Sequence, residues 1–250
     1  MSIYIDGGGR TMKRTIAIAA LCAGIMLTTF PCQAKESGNV KINSKNFPDT
    51  IVREYVSEKI DKNNDGYLSK KEISAVKTII IDKNNLYWEN KDKPKEDYEI
   101  IDCKGLEIFT NVEKVKLTTY CDTYVSEYGN IKNIKVLTKL TKIKNLEISG
   151  VNNSNYDFTK LNNLERLCIK STKLKKLNLS KNVKLKNLKL AYNPLLKKIN
   201  LTKNKNLERI NLYGSGVKKI TLGKNNKIKN SKTSLNINFV LIILIIFSLR

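Results

Sequence analysis

An L-x-x-L-x-L pattern that returns every 21 or 22 residues from Ile143 onward, asparagine-bearing corners between its apolar triplets, and a single twelve-residue acidic loop upstream together predict the fold class. They describe a leucine-rich-repeat solenoid, β-rich with short strands and irregular or 3₁₀ turns, carrying a helical EF-hand cap at its N-terminal end. The expected layout is an upstream extension (residues 1–11) and signal peptide (12–34), a spacer over 35–45, the EF-hand helix-loop-helix over 46–78, repeats over 79–230 and a hydrophobic tail over 231–250.

The repeats rest on two interleaved sets of apolar triplets. One set begins with Val112, Val115 and Leu117 and continues through Ile143, Leu146, Ile148, then Leu164, Leu167, Ile169, then Leu185, Leu188, Leu190, and ends at Leu207, Ile210, Leu212. The other holds Leu174, Leu177, Leu179, then Leu196, Ile199, Leu201, then Val217, Ile220, Leu222. Each coil therefore carries two strand-like segments. Two-residue alternation and Asn-containing breaks argue against a helical protein rich in Leu and Lys. No single coil can bury its leucines, but a stack shares one continuous core. Asn182, Asn193, Asn204 and Asn225 sit at the corners, where their side chains are expected to hydrogen-bond the turning backbone. The register loosens over Tyr120 to Asn130 and Asn84 to Tyr98, which read as insertions or irregular coils.

The acidic loop is Asp61 to Glu72, DKNNDGYLSKKE. Oxygen donors fall at loop positions 1, 3 and 5 (Asp61, Asn63, Asp65), with the Tyr67 carbonyl at 7, Ser69 at 9 and a bidentate Glu72 at 12. Gly66 occupies position 6, where the chain turns sharply, and Leu68 occupies position 8. All six donors are hard oxygens, so the expected ion is Ca2+. Asn46-Phe47-Pro48-Asp49 reads as a helix start, followed by apolar Ile51, Val52, Tyr55, Val56 and Ile60 at helical period. Ser69 to Glu72 is also a capping box, so Glu72 is expected to serve a second helix and the ion together.

Met12 to Ala34 has a basic start (Lys13, Arg14), an apolar run from Ile16 to Phe30 and small residues at the end, the pattern of a secretory signal. Gly7-Gly8-Gly9-Arg10 reads as a translated ribosome-binding site, which makes Met12 the expected start. The apolar stretch Phe239 to Leu249 is too short for an ordinary span of about twenty residues. A final buried strand, a truncated anchor and out-of-frame translation are all open readings of it, the last favoured because the pattern stops abruptly near Lys229.

Residues 35–130 carry 16 basic and 18 acidic side chains, whereas residues 131–234 carry 26 basic and 4 acidic, so the positive charge belongs to the repeats. Such a field attracts anionic polymers, although Lys and Asn filling solvent positions in an AT-rich genome would give the same composition. Lys116, Lys189, Lys198 and Lys219 lie beside strand leucines and are expected to face outward. The chain has no histidine, and beyond the leader only Cys103, Cys121 and Cys168, without CxxC spacing. This supports neither a disulfide framework nor a zinc site, and no nucleophile-base pair stands out, so no enzyme is expected.

The joint pattern resembles a family of secreted bacterial proteins, common in Clostridia, in which an EF-hand precedes internalin-like leucine-rich repeats. The residues that carry it are Asn46 to Asp49 with Arg53-Glu54-Tyr55-Val56, the loop Asp61 to Glu72 with Ile73, Lys104-Gly105-Leu106-Glu107 with Phe109-Thr110-Asn111, and Leu177 to Asn182. The resemblance implies a secreted or cell-surface, calcium-binding module that engages an extracellular protein or glycan. The alternative reading is an adhesin for polyanions (teichoic acid, sulfated glycan or nucleic acid) working through the Lys-rich repeat surface. Neither sequence-specific nucleic-acid recognition nor a stable transmembrane span is expected.

Overall fold

The computed structural model describes residues 38–83, 86, 100–119, 121–122, 127–223, 235–236 and 244–247. The expected extension and signal peptide, nearly all of the Asn84 to Tyr98 segment, Asn225 and most of the C-terminal tail lie outside the described residues.

Helix α1 spans Thr50–Lys59, and Asp49 caps it by accepting the Val52 N–H at 3.0 Å. Its buried side chains, Ile51, Val52 and Val56, recur at helical spacing and face inward. Helix α2, Lys70–Ala75, starts at a capping box: Ser69 Oγ accepts the Glu72 N–H at 3.2 Å, and Glu72 Oε2 accepts the Ser69 N–H at 2.9 Å. Between the helices Tyr67–Leu68 pairs antiparallel with Val40–Lys41. Part of the segment expected to be a spacer is thus a strand laid along the loop. Gly105 explains how the chain returns close to this region. It sits at φ 94°, and a side chain there would run into the Asn46 carbonyl and the Phe47 ring.

The repeats form a seven-stranded parallel sheet ordered as in the chain: Thr78–Asp82, Lys114–Thr118, Asn145–Ser149, Arg166–Lys170, Asn187–Lys189, Arg209–Asn211 and Leu235–Asn236. Register aligns Ile79, Val115, Leu146, Leu167, Leu188 and Ile210 in one column, and Ile81, Leu117, Ile148 and Ile169 in the next. All of these are buried. Two positions before the strands that start at Lys114, Asn145, Arg166, Asn187 and Arg209, an apolar residue is buried in a tight turn whose N–H bonds back three residues, as in Ile143 to Leu140 at 3.1 Å and Leu164 to Leu161 at 3.1 Å. A second row of parallel strands closes the other side of the coils: Ile100–Asp102 pairs with Asn130–Lys132, Asn155–Asp157 with Lys176–Asn178, and Lys198–Leu201 with Lys219–Leu222. Two strands per coil at a period of about 21 residues, stacked in one register, make the fold a leucine-rich-repeat solenoid. The tail backbone continues both rows: Leu235 stands opposite Ile210, and Leu244–Phe247 pairs in parallel with Lys219–Leu222.

Three corner asparagines are fully buried. Asn182 Nδ2 donates to the Phe158 and Leu161 carbonyls at 2.9 Å each, and Asn204 Nδ2 to Leu179 at 3.0 Å and Asn182 at 2.9 Å. Asn193 Nδ2 donates to Ile169 at 2.8 Å and Ala191 at 3.1 Å, while its oxygen accepts Thr172 Oγ1 at 2.5 Å. Each amide satisfies carbonyls of its own coil or the preceding one that would otherwise be stranded in the core. Asn193→Ala is therefore expected to cost about 1–3 kcal/mol, measured by urea unfolding.

The helices join the array through one core cluster that runs from Phe47, Val52, Val56 and Leu68 to Ile79 and onward. A buried ion pair fixes the junction. Lys83 Nζ lies 2.7 Å from Asp49 Oδ2, with side chains 2% and 4% exposed, and it also donates to the Ile100 carbonyl. The same Asp49 oxygen accepts the Asp102 N–H at 2.9 Å. One carboxylate thus holds the start of α1, the end of the first sheet strand and a second-row strand. Removing one partner of a buried pair leaves the other charged and desolvated, so Asp49→Ala should lower stability by about 3–5 kcal/mol. Asp49→Asn, which keeps the helix cap, should cost less in the same chemical denaturation.

Candidate functional site

The loop at Asp61–Glu72 is shaped by two left-handed residues, Asn64 at φ 55° and Gly66 at φ 77°. Asparagine tolerates that conformation and glycine meets no steric penalty in it. Asp61 is 3% exposed; its Oδ2 accepts the Gly66 N–H at 3.0 Å, and its Oδ1 is buried without a hydrogen-bond partner. Asp65 Oδ1 accepts the Tyr67 N–H at 2.7 Å, and Asn63 Nδ2 donates to Asp65 Oδ2 at 3.0 Å. The Gly66 carbonyl accepts the Ile42 N–H at 2.9 Å, anchoring the turn on the strand beside it.

Glu72 closes the loop. Its Oε1 accepts the Lys62 N–H at 2.7 Å, and its Oε2 accepts Ser69 Oγ at 2.7 Å besides the capping N–H. Burial pushes this carboxyl up, but the Ser69, Lys62 and Asn63 donors outweigh it and hold Glu72 below the ordinary glutamate value. Among the described residues no three His, Cys, Asp or Glu side chains are gathered as a cage. The six expected donors nevertheless lie on one short turn, and the orphaned, buried Asp61 Oδ1 is a desolvated anionic oxygen of the kind a hard cation satisfies.

The second candidate is the outer face of the seven-stranded sheet. Its middle strands border an open depression of about 530 Å³ whose polar lining includes Lys114, Lys116, Arg166, Lys189 and Arg209 against a single acid, Glu147. Not all of these charges are free. Lys116 lies 2.7 Å from Asp82, and Lys170 lies 3.1 Å from Glu147. Of the four lysines expected to face outward, Lys189, Lys198 and Lys219 are exposed, while Lys116 is half-buried against Asp82 because a carboxylate stands on the neighbouring strand.

Cys168 lies half-buried in the middle of this face, and burial followed by Glu147 raises its thiol above the usual range. Cys103 is enclosed, and burial pushes its thiol far higher. The Tyr120 to Asn130 irregularity contains a short antiparallel pair, Cys121–Asp122 with Glu127–Tyr128.

Residue-by-residue reading missed a pattern with a two-coil period. Asn-Val-Glu-Lys-Val (111–115), Asn-Leu-Glu-Arg-Leu (163–167) and Asn-Leu-Glu-Arg-Ile (206–210) alternate with Lys-Ile-Lys-Asn-Leu (142–146) and Lys-Leu-Lys-Asn-Leu (184–188). Stacking turns this into rows of alternating character. Backbone hydrogen bonds align Lys77, Glu113, Lys144, Glu165, Lys186 and Glu208. Lys144 Nζ meets Glu113 at 2.7 Å and Lys186 Nζ meets Glu165 at 2.9 Å, which lowers both glutamates from their ordinary value. In the next row outward, Lys142 donates to Asn111 at 2.6 Å and Lys184 to Asn163 at 2.7 Å. Comparing the residue before each apolar triplet and the two between its first apolar positions across coils, instead of within one, would have shown it.

No protein-family model matches the chain, and no curated protein is similar to it. Several solved structures are similar. Internalin C2 from Listeria monocytogenes strain 4b F2365 has a TM-score of 0.46 and 14% identity, covering 82% of this chain and 97% of that one. The functional domain of InlJ from Listeria monocytogenes gives 0.47 and 16%, covering 79% of this chain and 48% of that one. An internalin InlF from strain 4b F2365 gives 0.35 and 14%, covering 74% and 65%. At these values the repeat architecture rests on the strand register of this chain itself.

The lowered Glu72 carboxyl carries a pH consequence for the metal-free protein. A group whose folded pKa is depressed contributes stability above its unfolded value of about 4.3. That contribution is lost as the pH falls through the lower folded value. In chelator, the thermal midpoint should therefore drop on acidification below about pH 4.3, and Glu72→Gln should flatten that slope at every salt concentration. The exposed Glu113 and Glu165 carboxyls, held down by the lysines beside them, act in the same direction but are screened by salt.

Proposed function

We propose that the chain is a secreted or cell-surface, calcium-stabilised binding module, in which an N-terminal EF-hand closes the repeat array and the outer face of the seven-stranded sheet engages an extracellular protein or glycan. The observation that carries this reading is the sheet face, polar, open and positively charged over an apolar interior that fixes its geometry. Regularly spaced side chains on a rigid parallel sheet give a binding surface without moving parts.

Calcium has a structural role here. Asp61, Asn63, Asp65, the Tyr67 carbonyl, Ser69 and Glu72 would hold it, and Asp61 Oδ1 is the atom that most needs it. The ion would supply charge compensation for three carboxylates on one turn. It would thereby lock α1, the Val40–Lys41 pairing and α2 against the first sheet strand. In a compartment where calcium is near millimolar, even a site of about 10⁻⁴ to 10⁻³ M affinity stays filled, so a clamp fits better than a switch. A second reading, a polyanion-binding adhesin, is favoured by the exposed lysines of the second row, Lys176, Lys198 and Lys219. It requires affinity that falls steeply with salt and ignores ligand sequence.

Titration calorimetry with calcium, paired with thermal unfolding in calcium and in chelator, tests the clamp. The wild-type chain should bind one ion and gain thermal stability, and Asp61→Ala and Glu72→Ala should each abolish most of both effects. A wild-type protein whose midpoint ignores calcium would defeat the reading.

A further inference from the structure

The row of the sheet face that begins each strand holds Lys114, Asn145, Arg166, Asn187 and Arg209 in register across five neighbouring strands. Cation and amide alternate, as the two-coil period demands. Lys114, Arg166 and Arg209 are exposed, and among the described residues none has an ion-pair partner. For Lys114 and Arg166 the reason lies one residue upstream, where Glu113 and Glu165 are taken by Lys144 and Lys186. Neutralising one row leaves its neighbour charged. The Asn145 and Asn187 side chains are half-buried, and no hydrogen bond to another described residue engages them.

We propose that this row binds a linear polysaccharide bearing one carboxylate or sulfate per disaccharide, laid across the strands along the stacking direction. Strands are spaced about 4.8 Å apart, so cations on every second strand repeat at about 9–10 Å. A pyranose disaccharide advances by about the same length, which sets one acidic group on each cation and the intervening sugar over an asparagine. The amide offers both donor and acceptor to hydroxyl and acetamido groups. Arginine supplies a planar fork that matches carboxylate and sulfate geometry. A nucleic-acid strand fits less well, because its phosphates, roughly 3.4 Å apart per strand along a duplex axis and one per nucleotide in any case, do not match cations on every second strand, and many would face an amide or nothing. The depression over these strands gives the chain a bed, and Lys189 on the adjacent row adds a further exposed cation.

This inference rests on the reading of the sheet face as the binding surface and adds its ligand class and contact row. The test uses the full mature chain in calcium with a fluorescent hyaluronan decasaccharide, which carries one carboxylate per disaccharide. A neutral dextran and a single-stranded oligonucleotide of matched length serve as competitors. The decasaccharide should bind, dextran should not compete, and the oligonucleotide should compete only weakly. Arg166→Gln and Arg209→Gln should each weaken binding about tenfold, the scale of one lost charge-assisted contact. Lys198→Gln on the second row should leave binding unchanged, and all three variants should unfold at the wild-type temperature. No binding, equal competition by the oligonucleotide, or arginine variants that bind like wild type would each overturn the proposal. The calcium response of the thermal midpoint, read on the same samples, reports separately on the stabilised-module reading.

Discussion

Every coil of this protein must turn its backbone through corners whose carbonyls point into an apolar interior, and hydrogen-bond donors have to be found for them there. Asparagine amides meet that demand at Asn182, Asn193 and Asn204. Their partners lie largely in the coil before, at Phe158, Ile169 and Leu179, so each corner also ties one coil to the last. An unpaired carbonyl in the core costs more than a typical net hydrogen bond contributes, which makes the ladder a condition of the fold rather than an ornament on it. Once corners are tied, strand register follows. Leu146, Leu167 and Leu188 can then share one apolar column, and the side chains between them are held at fixed spacing on the outer face.

The N-terminal end of the stack faces a different problem, because among the described residues no coil precedes the first sheet strand to cover its apolar edge. The chain lays α1 across it. Tyr55 Oη donates to the Thr78 carbonyl at 3.2 Å, and Phe47, Val52 and Val56 continue the core. Hydrophobic contact alone would leave the helix free to slide, since it is not directional. Asp49 and Lys83 supply direction. Desolvating the pair is costly, and the additional bonds to Val52, Asp102 and Ile100 are what make the geometry specific. The loop between the helices inherits its position from this arrangement and from the pairing with Val40–Lys41.

The repeat architecture was legible because it is written in a local period: apolar residues two and three apart recur every 21 or 22 positions, and the strands fall on them. The capping box at Ser69 and Glu72 was legible for the same reason, since four consecutive residues suffice to state it. Asp49 was readable as a helix start but not as the partner of Lys83, which lies 34 residues away in a stretch with no repeat pattern to align it. Lys116 does lie on the outer face as expected, but its ion pair with Asp82 was not readable, because the two become neighbours only through parallel pairing of strands that a long insertion separates. Contacts set by register escape a linear reading even where the register itself does not.

The charge of the repeats illustrates the difference between composition and placement. An excess of 26 basic over 4 acidic residues in residues 131–234 is what lysine-rich filling of solvent positions would produce, and by itself it names no ligand. Random filling has no phase. Here three of the four acids in that half are glutamates on the sheet side, and Glu165 and Glu208 fall on the same row, two coils apart, with Lys186 between them. That row is close to neutral, and the one beside it alternates Asn with Lys or Arg. Mutual neutralisation along one line therefore concentrates the unpaired charge of the sheet face onto another, with a repeat twice the strand spacing. A field organised in this way discriminates among anions by the distance between their charges and not only by their number.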